Sequence, residues 1–82
     1  MRSAVRLMLM AIMNEEHLWA HHTACQVRRG GITVYTCDLV TTVGKFKGLV
    51  VPRTRGPNGR FFEPRCSISI SAANGLRFSR CE

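Results

Sequence analysis

Gly56-Pro57-Asn58-Gly59 and Ala72-Ala73-Asn74-Gly75 are two loops of nearly the same chemistry, and the way they close decides the fold from Lys45 to Glu82. Asn-Gly between apolar runs is a hairpin signal. In the second loop, a two-residue turn of Asn74 and Gly75 sets Ile70 opposite Ser79, mixing apolar and polar groups on both faces. A three-residue turn of Ala73, Asn74 and Gly75 sets Ile70 opposite Phe78 and Ser69 opposite Ser79. One face then becomes apolar and the other polar. A slip of one residue would reverse every side chain, so the pattern selects the three-residue turn. Glycine takes the left-handed third position without steric cost.

The first loop repeats this logic, with Pro57 pre-setting φ and Gly59 in the left-handed position. It predicts Arg53 opposite Glu63 and Val50 opposite Cys66. Opposite charges across a ladder favour that register by about 0.2–1 kcal/mol. Phe46, Val50, Phe62, Cys66, Ile68, Ile70, Ala72, Leu76 and Phe78 then share one face. Lys45, Lys47, Arg53, Arg55, Phe61, Glu63, Arg65, Arg77 and the serines share the other. Leu49 and Val51 are apolar on the polar face, and Arg80 is basic on the apolar one. Pro52 and Pro64 oppose each other and cannot donate to the ladder, so the ribbon bends or frays there.

A chain of 82 residues is one domain. At that size only about 60–65% of the unfolded surface is buried, so the core is thin and staples become valuable. The hydrophobic content of 45% argues against intrinsic disorder. The net charge is +7. Residues 1–44 hold four arginines against three acids, net +1, and residues 45–82 hold eight cations against two acids, net +6. The excess belongs to the ribbon, which implies an anionic partner. Cys25, Cys37, Cys66 and Cys81 allow two disulfides in any of three pairings. The register argues against Cys66 with Cys81, because they fall on opposite faces unless the hairpin slips.

Residues 1–13 form an apolar N-terminal segment. The run from Leu7 to Met13 is too short to span a bilayer. With Arg2 and Arg6 in front it has the order of a leader cleaved after Ala20, although Asn14-Glu15-Glu16-His17 is polar for one. Otherwise it is a buried strand or helical turn, and Met13 is an alternative start. Residues 14–30 read as a helix: Asn14 at the N-cap, Glu15 and Glu16 in the first turn, Arg28 and Arg29 in the last, Gly30 at the end. Ile32 to Val43 is rich in β-branched residues and reads as a strand, with an edge open to a second copy. The sequence therefore predicts an α+β domain: one N-terminal helix over 14–30 packed on a three- to four-stranded antiparallel sheet over 31–82.

On a helix, His17, His21 and Cys25 would align on one face and offer weak metal ligands. No paired-ligand motif supports a metal site, and no cofactor is expected. Cys25 beside His21 and His22 is the one candidate nucleophile, but nothing around it forms a triad, so no enzyme is expected. No phosphate-binding glycine loop has the required spacing.

The strongest functional candidate is the cationic face: Lys45, Lys47, Arg53, Arg55, Arg60, Arg65 and Arg77 for phosphates, with Phe61 as a stacking platform and Tyr35 as a second. It predicts a basic nucleic-acid-binding protein, cytoplasmic or nuclear. One alternative is a secreted cationic protein with two disulfides, acting on anionic membranes or receptors. Another is an adaptor or inhibitor on an acidic protein surface, anchored by Leu49 and Val51. The bland alternative is a solvated face that keeps a small domain soluble.

Overall fold

A computed structural model describes residues 2–55, 58–62 and 64–81, with backbone alone for 2, 3, 54, 55, 61 and 62. The chain is α+β, as expected, with one N-terminal helix on one face of an antiparallel sheet. That sheet has five strands rather than three or four. Helix α1 spans Arg2–Glu15. The strands are β1 (Ala20–Gly30), β2 (Ile32–Thr41), β3 (Gly44–Val50), β4 (Thr54–Arg55), β5 (Phe61–Phe62), β6 (Cys66–Ala72) and β7 (Arg77–Cys81). The main sheet runs β1-β2-β3-β6-β7, and β4 pairs with β5 as a separate ribbon.

The helix lies one segment earlier than the sequence predicts. Val5, Leu9, Ile12 and Met13 recur at intervals of four, three and one and form the buried stripe of α1. Residues 20–30, expected as helix, are strand β1. The end signals of that predicted helix are real, but its interior has no helical stripe. It alternates instead: Thr23, Cys25 and Val27 point toward the core, while His22, Ala24, Gln26 and Arg28 are exposed. Asn14, Glu15 and Glu16 finish α1 rather than start a helix. His17 closes it with φ 60, and the Leu18 N–H reaches back to the Met13 carbonyl at 2.9 Å. The His17 N–H donates to the Asn14 carbonyl at 3.0 Å, which completes a Schellman cap.

β2 is an interior strand, paired with β1 on one side and β3 on the other, so the edge predicted there does not exist. The edges are β1 and β7. Tyr35, Cys37 and Leu39 of β2 join Phe46, Val50, Ile68 and Ile70 in the core under α1. Gly48 is the close-approach point. A Cβ there would sit 2.9 Å from Leu9 Cδ1, so glycine lets the helix settle on the middle of the sheet.

The second loop takes the predicted turn, and the described part of the first has the predicted register; Gly56 and Pro57 lie outside the described residues. Ile70 pairs with Phe78 and Ser69 with Ser79, and Arg55 pairs with Phe61. Gly59 and Gly75 have φ 82 and 93. Each asparagine accepts from the N–H two residues on, Arg60 to Asn58 at 3.1 Å and Leu76 to Asn74 at 3.0 Å. The Arg53–Glu63 pairing lies outside the described residues.

Two corrections come from the segment between ribbon and sheet. Val50 pairs with Ile68, not Cys66. The change is two residues, so inward and outward faces are preserved, and it falls at Pro52 and Pro64, where the ladder was expected to break. A β-bulge between Cys66 and Ile68 then supplies the slip that sequence register alone would forbid. Cys66 turns outward, away from the apolar face, and bonds to Cys81. The other bridge, Cys25–Cys37, joins β1 to β2. Each closes a loop of 12–15 residues in sequence separation. On a chain-entropy account each contributes about 3 kcal/mol, a useful supplement to a thin core.

Candidate nucleic-acid interface

The face opposite α1 is built in rows, because each strand alternates and the registers are continuous. One row across all five strands reads Ala24, Asp38, Lys47, Ser71, Arg77. The next reads Gln26, Thr36, Leu49, Ser69, Ser79. Lys45 stands beyond the first row, opposite Val40. Lys45, Lys47 and Arg77 are therefore neighbours on one end of the outer face, as the alternation in β3 and β7 implies.

Lys47 is engaged. Its Nζ donates to Asp38 Oδ1 at 2.6 Å, directly across the β2–β3 ladder. That hydrogen bond, together with the Lys47 charge, holds the Asp38 carboxyl below the usual carboxylate range. On the other side of the sheet, Arg80 Nη2 reaches Glu15 Oε2 at 2.9 Å and Glu16 Oε1 at 3.9 Å. The arginine that looked misplaced on the apolar face thus clamps the end of α1. All three of these acids are matched by Lys47 or Arg80.

The other predicted cations lie beyond the opposite end of the face. Arg53, Arg60 and Arg65 are exposed around the β4–β5 ribbon. The side chains of Arg55 and Phe61 lie outside the described residues. Arg53 is six positions along the chain from Lys47, at most about 20 Å when extended. The predicted site is therefore two cationic groups, with Val34, Thr36, Leu49 and Ser69 between them. A shallow concavity of about 460 Å³ lies on this middle ground, lined by Gln26, Arg28, Ile32, Val34, Thr36 and Leu49 among others. Leu49 is exposed there and Val51 half-buried.

Tyr35 is not a stacking platform: it is buried on the inner face between β1 and β3. No described Phe, Tyr or Trp side chain lies on the outer face, although the His22 imidazole does, in the row with Val40 and Lys45. Arg28 belongs to this face and was missed by sequence reading, which placed it at a helix end. The alternation Thr23, Cys25, Val27 was the signal that would have found it.

The weak metal candidates do not assemble. In strand β1, His21 and Cys25 no longer stack at helical spacing, and His17 is the residue that caps α1. The Cys25 sulfur is bonded to Cys37, which also removes the candidate nucleophile. Among the described residues no group of three His, Cys, Asp or Glu side chains is placed to hold a metal. No described helix is long and apolar enough to cross a membrane. Comparison with protein-family models, with curated proteins and with solved structures finds no match to the chain.

Proposed function

We propose that the protein binds the phosphate backbone of nucleic acids, without sequence readout, through the cations at the two ends of its outer face. One observation carries the reading. Among the described residues, Glu15, Glu16 and Asp38 are engaged by Arg80 and Lys47, while Lys45, Arg60, Arg65 and Arg77 are exposed and form no ion pair. A polyanion spanning both groups would displace counterions at each contact. The serine rows between them supply hydroxyl donors for phosphate oxygens. The lack of a described Phe, Tyr or Trp on this face favours backbone contact over base stacking.

The test is fluorescence anisotropy with a labelled single-stranded oligonucleotide over a salt series. Binding should weaken steeply with salt, and Arg60→Ala with Arg65→Ala should reduce the log–log slope by about 1.4. Absence of binding at low salt, or an unchanged slope in the double variant, overturns the proposal.

The two disulfides favour an oxidising setting over a cytoplasmic or nuclear one. Phosphate-backbone binding by this face needs no particular compartment. Intact mass after native purification decides the setting: four protons below the reduced mass supports it, and four free thiols rejects it.

A further inference from the structure

The end of the sheet away from the ribbon carries a second surface of different chemistry. Three connections lie at that end. The segment 16–19 leads into β1, Thr42–Val43 joins β2 to β3, and 73–76 joins β6 to β7. The registers put all three at the same end of the sheet: Ala20 pairs with Thr41, Thr41 with Gly44, and Phe46 with Ala72. Each loop exposes one large apolar side chain, Trp19 at 58%, Val43 at 67% and Leu76 at 43%. Immediately behind them stand Lys45 and Arg77, both exposed. The nearest described acids, Glu16 and Asp38, are each ion-paired.

We propose that this end docks on an anionic lipid bilayer, with Trp19, Val43 and Leu76 entering the interface and Lys45 and Arg77 meeting the headgroups. Charge complementarity selects this occupant. Apolar tips backed by cations match a surface that is greasy below and negative above, whereas a nucleic acid offers the tips no apolar layer. Indole rings favour the membrane–water boundary. Each lysine or arginine near an anionic leaflet adds to the attraction within about a Debye length. The surface is separate from the ribbon arginines of the preceding proposal, although Lys45 and Arg77 serve both.

Trp19 is the sole tryptophan, so its fluorescence reports the contact directly. The full oxidised chain is mixed with phosphatidylcholine vesicles with and without phosphatidylserine. Emission should shift to the blue, and the protein should pellet, with the anionic vesicles alone. Val43→Ser with Leu76→Ser, both in exposed turns, should weaken vesicle binding by about tenfold or more. It should leave oligonucleotide binding unchanged. Arg60→Ala with Arg65→Ala should do the reverse, so the two proposals fail separately. No shift with anionic vesicles overturns docking. So does vesicle binding that survives the Val43–Leu76 double variant, since that would be charge alone. Circular dichroism of each variant excludes misfolding as the cause.

Discussion

Leu9→Ala and Gly48→Ala probe the same contact from opposite sides. Leu9 is 0% exposed and lies over Gly48 in the inner row Cys25, Cys37, Gly48, Ile70, Phe78. Truncating it leaves a cavity under α1, at a cost of about 2–5 kcal/mol. A domain of this length has roughly 4–12 kcal/mol in total, so the variant should be visibly crippled. Adding a methyl at Gly48 places it 2.9 Å from Leu9 Cδ1 and 3.4 Å from Leu39 Cδ1. That overpacking should cost about 1–3 kcal/mol. In the double variant the new methyl occupies part of the space Leu9 vacates. Its destabilisation should therefore fall short of the sum of the singles by about 1 kcal/mol or more. Leu7→Ala, on the exposed side of the same helix, should stay within about 0.5 kcal/mol of the parent. Urea unfolding followed by circular dichroism measures all four. Strict additivity, or a Leu9→Ala loss as small as that of Leu7→Ala, would refute the packing of α1 on the sheet.

His17→Gly should stabilise the fold by about 0.5–1 kcal/mol, because φ 60 is left-handed backbone that glycine occupies freely. A thermal midpoint at or below that of the parent would contradict the cap. Asp38→Asn should weaken the fold slightly at neutral pH. The depressed Asp38 pKa contributes stability above its unfolded value, and this is lost as pH falls through the folded one. Parent and variant should therefore converge in acid, and a gap that persists there rejects the pairing. The same variant frees Lys47, so the oligonucleotide salt slope should steepen by about 0.7. On titration with a reductant, Cys66–Cys81 should open first because both its residues are exposed, whereas Cys37 is buried. Timed alkylation reads the order, and Cys25–Cys37 opening first would contradict the burial.

The legible part of the fold was the part governed by local turn chemistry. Asn58-Gly59 and Asn74-Gly75 set both hairpin registers, and the alternation from Ile68 to Ser71 oriented the sheet. The helix was misplaced for two physical reasons. From Leu7 to Met13 every residue is apolar, so the buried stripe of Leu9, Ile12 and Met13 has no polar background against which to show its period. From Asn14 to Gly30 the end charges imitate a helix, while the strand is held by partners remote in sequence: β2 and the bond to Cys37. The bulge before Ile68 was illegible for the same kind of reason. It is stabilised by a disulfide that register arithmetic alone disfavoured. For the candidate site, strand parity correctly grouped Lys45, Lys47 and Arg77. It could not show that Asp38 crosses the ladder to occupy Lys47, because β2 was given no register.

The five-strand register underlies both proposed surfaces, and disulfide connectivity reads it most directly. Proteolysis of the unreduced chain followed by peptide mass spectrometry should yield Cys25 linked to Cys37 and Cys66 linked to Cys81. Recovery of Cys25 joined to Cys66 or Cys81 would contradict the pairing of β1 with β2 and of β6 with β7.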